Sequence, residues 1–120
     1  MSKLLRGVDS MSIEVENELK RQCEAWIEDL EKIAEGKITP EEFIENNALE
    51  IKRIQSFNGG EWETVDYIIV VTVGGPYVEI NGYERAVIGY WTPEEVKERF
   101  TLKAKDGYEM IFEYLNEIGE

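Results

Sequence analysis

Apolar residues recur at three- and four-residue intervals through Leu19, Cys23, Trp26, Ile27, Leu30, Ile33 and Ala34. That spacing puts them on one stripe of a 3.6-residue helix. It predicts an amphipathic helix from about Ser12 to Glu35, stopped by Gly36. A second, short helix is expected at Thr39-Pro40-Glu41-Glu42: Thr39 suits the cap, Pro40 the first helical position, and Glu42 closes a capping box. From Ala48 the apolar positions Leu49, Ile51, Ile54 and Phe57 loosen to extended spacing, and Asn58-Gly59-Gly60 marks a turn.

Val65 to Val73 is dense in β-branched residues and apolar on both faces, the pattern of a central strand covered by helices on at least one side. Gly74-Gly75-Pro76 breaks it, Tyr77 to Ile80 resumes, and Asn81-Gly82 turns the chain into Ala86 to Trp91. Thr92-Pro93-Glu94-Glu95 has the chemistry of a helix start, yet Val96, Phe100 and Leu102 alternate as a strand would. The pattern fits either. Asp106 and Glu109 form a capping pair for a final helix whose buried stripe is Tyr108, Ile111, Phe112, Leu115 and Ile118. The fold class expected is α+β in one domain, residues 1–120: two N-terminal helices, an antiparallel meander of about four strands, and a C-terminal helix packed on the sheet.

Charge changes the picture. The chain has 26 acidic and 13 basic residues among 120, no histidine, and a net charge of −13. Residues 11 to 50 alone carry twelve acids and four bases, a balance of −8, whereas residues 51 to 90 carry five and three, a balance of −2. The helices hold the charge. Without histidine, and with Cys23 as the one cysteine, histidine triads, His- or Cys-cluster zinc and disulfide frameworks are excluded. Asp66, Glu79, Glu63 and Glu84 would need to converge to bind Mg²⁺ or act as an acid/base pair, and no Asp-x-Asp or EF-hand spacing fixes that. The expectation is a non-enzyme with no metal site and no cofactor. No apolar run approaches the ~18 residues of a membrane-spanning helix, and Met1 to Val8 lacks a signal-peptide stretch, so a cytoplasmic setting with no membrane partner is expected. An acid excess repels the phosphate backbone, which argues against direct nucleic-acid binding and for a basic protein as partner.

Two acidic stripes stand out. Glu24, Glu28, Glu31 and Glu35 share one side of the first helix, and Glu109, Glu113, Glu117 and Glu120 one side of the last. Like charges at these spacings each cost roughly 0.2–0.5 kcal/mol. Their spacing of about 6 Å at Cβ is similar to that of phosphates along a nucleic-acid strand. Both stripes are candidate partner-binding surfaces, against the plainer reading of solvated helix faces. Tyr90 and Trp91, with Trp62 and Tyr83, are candidates for an aromatic contact patch or for edge packing. Gly74-Gly75-Pro76 lacks the lysine of a phosphate loop and reads as a turn that allows close approach. Cys23 reads as a plain apolar residue.

The run Val73-Gly74-Gly75-Pro76-Tyr77-Val78-Glu79-Ile80, followed by Ala86-Val87-Ile88-Gly89-Tyr90-Trp91, resembles small proteins encoded on bacterial phages, plasmids and conjugative elements. Those proteins share a Gly-Gly-Pro, apolar strand, turn and Tyr-Trp strand end, with an acidic C-terminal helix. The resemblance spans Glu42 to Ile118 and implies a mobile-element setting, in which small acidic proteins block restriction or CRISPR machinery; it supplies no catalytic residue. Charge and resemblance together lead to a non-catalytic inhibitor in the host bacterium's cytoplasm. Its expected partner is a basic nucleic-acid-handling protein, foremost a Cas effector blocked by nucleic-acid mimicry, an anti-CRISPR role. A restriction enzyme blocked by the same logic is the alternative, and a small ligand-binding or assembly module is the alternative of a different class. A homodimer through an exposed sheet edge is also open.

Overall fold

A computed structural model describes the backbone of residues 3 to 119 and the side chains of residues 13 to 119. The chain forms α1 (Lys3–Ala34), α2 (Pro40–Asn47), β1 (Glu50–Asn58), β2 (Glu61–Thr72), β3 (Tyr77–Asn81), β4 (Ala86–Trp91), β5 (Glu94–Arg99) and α3 (Leu102–Glu117). The five strands pair antiparallel in sequence order, β1-β2-β3-β4-β5. The fold is α+β with a meander, as expected, and the sheet has one strand more than the pattern suggested.

Alternation assigns each face. Ile51, Ile69, Ile80 and Val87 stand side by side across four strands. With Tyr67, Val71, Val78 and Val96 they form the floor of the core. The apolar stripe of α1 (Leu19, Cys23, Ile27, Leu30, Ile33) and that of α3 (Ala104, Tyr108, Ile111, Leu115) close over that floor, and Phe43 of α2 joins them. Phe43 meets Trp26 edge-on, with ring centroids 5.9 Å apart. The intervening positions point the other way: Val70, Glu79 and Ile88 make the middle of a second row, with Glu50 and Lys97 at its ends. None of this second row belongs to the helix-covered core cluster.

Two glycines set how closely α1 seats. A Cβ on Gly89 would lie 2.7 Å from Leu19 Cδ1 and 3.0 Å from Cys23 Sγ, so the bare backbone of β4 is the bed of the helix. A Cβ on Gly107 would lie 1.9 Å from the Leu30 carbonyl oxygen, so α3 crosses α1 in near-backbone contact there.

Several expectations are corrected. α1 begins well before Ser12; residues 3–12 contain no proline, and the helix continues through Gly7 and Ser10. The stretch from Thr92, which fitted either element, resolves as strand β5, because Glu94 to Arg99 pair along β4 and send Val96 into the core. A partner strand outweighs a local helix-start signal. The last helix starts at Leu102 rather than at Asp106: Thr101 is its cap, its Oγ1 accepting from Ala104 N at 3.0 Å. Asp106 and Glu109 therefore lie inside the helix rather than at its cap, and Gly107 between them serves the tertiary contact with Leu30. Val73 lies beyond the end of β2 and is exposed, and Ile118 caps α3 from outside the core rather than extending its stripe. Thr39 caps α2 as expected, with Oγ1 accepting from Glu42 N at 3.1 Å. Among the described residues, no helix is long and apolar enough to cross a membrane.

Candidate functional site

The stripe on α1 divides in two. Glu31 and Glu35 are tied to the neighbouring helix: Thr101 Oγ1 donates to Glu31 Oε2 at 2.6 Å, and Lys103 Nζ donates to Glu35 Oε2 at 2.7 Å. Lys37 adds a second ion pair to Glu35 at 3.0 Å. The Lys103 hydrogen bond, then that of Lys37, holds the Glu35 carboxyl below its ordinary range. Those two residues splice α1 to the start of α3. Glu24 and Glu28 are exposed and take part in no ion pair among the described residues. Together with Ile27, Glu31, Glu98 and Arg99 they line an open groove between α1 and β5.

The stripe on α3 also separates. Glu109 sits beside Val65, Asp66, Arg85 and Phe112, with Lys105 at 3.9 Å. Glu113 and Glu117 instead face α2, where they line a groove of about 380 Å³ with Thr39, Pro40, Glu41, Met110 and Tyr114. Burial, then the negative charge of Glu41 and Glu45, pushes the Tyr114 hydroxyl above its ordinary pKa. Glu41 therefore extends the acidic character of this groove, and its place in a short capped helix hid that from the sequence. The α1 and α3 carboxylates border different grooves and do not merge into one array. Glu120 lies outside the described residues.

The aromatic candidates part company too. Tyr90 pairs in register with Tyr77, their ring centroids 5.7 Å apart and tilted by 54°. Trp91 lies against the Gly74-Gly75-Pro76 turn, where a Cβ on Gly75 would be 3.4 Å from its indole Nε1. The two segments singled out in the sequence thus meet at one end of the sheet, through a side chain on a turn rather than backbone on backbone. Trp62 stacks edge-on with Phe57 at 5.1 Å, at the opposite end of β2. Tyr83 stands exposed in the β3–β4 turn.

Beside Tyr77 lies a polar cluster that the sequence reading passed over. Glu79, 8% exposed, accepts from Tyr77 Oη at 2.9 Å and from Asn81 Nδ2 at 2.9 Å. Asn81 Oδ1 in turn accepts from Glu84 N at 2.9 Å. Its signal was available: Tyr77, Glu79 and Asn81 alternate within an apolar strand, so they must share a face. Burial, then the hydrogen bond and charge of Glu79, pushes the Tyr77 hydroxyl up to about 12.

The four acids weighed for metal or acid/base chemistry are dispersed. Asp66 accepts from Tyr108 Oη at 3.1 Å, Glu84 pairs with Lys97, and Glu79 is held as above. Glu63 lies far along the β1–β2 hairpin, opposite Ser56. Among the described residues, no three acids or thiols are grouped to hold a metal ion. The chain matches no known protein family, no curated protein and no solved structure.

Proposed function

We propose that this protein is a non-catalytic inhibitor that occupies the basic surface of a nucleic-acid-handling protein, a Cas effector first and a restriction enzyme second. The observation that carries the reading is the surplus of uncompensated carboxylate on the helices and strands. Of the 24 acids whose side chains are described, only Glu18, Asp29, Glu35, Glu84 and Glu109 take part in ion pairs. Grooves that read a PAM or grip phosphate are lined with Arg and Lys, so carboxylates on a rigid helix both steer encounter and compete with DNA. Glu24 and Glu28, with Glu98 across their groove, supply one such surface; Glu41, Glu113 and Glu117 supply the other.

The test is cleavage of DNA by a panel of purified Cas effectors and restriction enzymes. Inhibition of at least one should saturate near one protein per effector, survive EDTA and leave the effector's mass unchanged. It should also weaken as salt rises, because exposed charges are screened beyond about 8 Å at 0.15 M. Glu24→Gln with Glu28→Gln should lower the association rate while leaving the fold intact. Loss of effector activity at substoichiometric protein, or salt-independent association, would overturn the reading.

A further inference from the structure

The sheet face opposite the helix-covered core cluster has an electrostatic imbalance. Buried charges are ordinarily paired with an opposite charge, yet Glu79 is 8% exposed and is met by the neutral donors Tyr77 and Asn81. Its cross-strand neighbours, Val70 and Ile88, are apolar. Lys97, beyond Ile88 on the same row, is engaged by Glu84. No basic group forms an ion pair with Glu79 among the described residues. Next to this carboxylate, the rings of Tyr77 and Tyr90 form a tilted pair at 5.7 Å, with Tyr90 36% exposed. An aromatic pair beside a carboxylate that no described basic group pairs has the complementarity of an organic cation: the ring faces attract it and the carboxylate neutralises it.

We propose that the accessible Tyr77–Tyr90 end of this face, rather than its buried centre at Val70 and Ile88, takes an ammonium or guanidinium side chain of the protein partner, seated on the two rings with Glu79 as its counter-charge. This rests on the reading that the partner is basic and adds the contact that anchors it. The acidic helix grooves then steer the partner, while the sheet face fixes its orientation.

The experiment uses a probe with a single charge, because a polycation would adhere to any part of a chain of charge −13. N-acetyl-arginine amide and tetramethylammonium are titrated into the full-length protein at about 0.15 M salt, which screens exposed carboxylates, and backbone amide shifts are followed by NMR. The expected result is saturable shifts over Tyr77 to Asn81 and Ile88 to Trp91. Glu79→Gln, close in shape, should weaken binding about tenfold, and Tyr90→Leu, on the exposed side of the pair, by about threefold. Tyr90→Leu keeps the test decisive if the Glu79→Gln variant does not fold. Shifts confined to the α1 and α3 carboxylates, or affinities unchanged in both variants, overturn the proposal. If the probe maps to Glu79 but no effector in the panel is inhibited, the anchor stands and the proposed target class falls. If an effector is inhibited equally well by the parent and by Tyr90→Leu, the target class stands and the anchor falls.

Discussion

Gly107 is the residue at which the helix layer has least tolerance. A methyl there would sit 1.9 Å from the Leu30 carbonyl oxygen, and main chain cannot swing aside as a flexible side chain would. Gly107→Ala should therefore cost about 3 kcal/mol despite the better helix propensity of alanine, the upper end of the usual overpacking penalty. Urea denaturation checks it, and a neutral or stabilising result would mean that α1 and α3 do not cross there. Cys23 and Tyr77 make the alkaline limb of stability predictable. Burial, aided by Glu98 and Glu24, pushes the Cys23 thiol from 9.0 to about 12, and Tyr77 rises from 10.0 to about 12. Above pH 9 the unfolded chain releases protons that the folded chain retains, so stability is full below that pH and falls as pH climbs toward 12. A thiol reagent at mildly alkaline pH should label Cys23 only after unfolding, and rapid labelling of native protein would contradict its burial.

At the scale of elements, the start of α3 separates two readings of one helix. Thr101→Ala removes both the cap on Ala104 N and the hydroxyl donated to Glu31, and should cost about 1–2 kcal/mol. Asp106→Ala, at the position the sequence favoured for a cap, should change stability by less than about 0.5 kcal/mol. Thermal melts of the two variants rank the alternatives directly. The mismatch has a physical origin: Asp106 with Glu109 has the spacing of a capping pair, but Thr101 already caps Ala104 N, and the helix runs on through Gly107 because that glycine answers to Leu30, 77 positions back in the chain. The α1 stripe, the α2 cap and the β2 to β4 meander were legible because periodicity and turn chemistry are local. β5 was legible only as one of two alternatives, since its sole fully inward residue is Val96 and its identity depends on pairing with β4. The same division holds for the candidate site. Acidic stripes can be read from spacing, but that Glu31 and Glu35 are spent on Thr101 and Lys103 depends on where α3 crosses α1.

For the molecule as a whole, a charge of −13 on one small domain makes self-repulsion a measurable part of stability. Raising sodium chloride from about 0.05 to 0.5 M should raise the melting temperature, because screening relieves like charges more than it weakens the few exposed ion pairs. A fall would show that pairs such as Lys103–Glu35 outweigh the net repulsion. Screening acts on charges whose positions are fixed, and here the two glycine contacts of α1 acquire a geometric meaning. Gly89 beneath the helix and Gly107 beside it engage Leu19, Cys23 and Leu30 from two directions, as two pins locate a machined part. A rod held at two points along its length can neither slide by a turn nor roll about its axis. Every carboxylate mounted on its outer side therefore keeps its bearing relative to the sheet, and what the surface presents to another molecule is a ruler with fixed graduations.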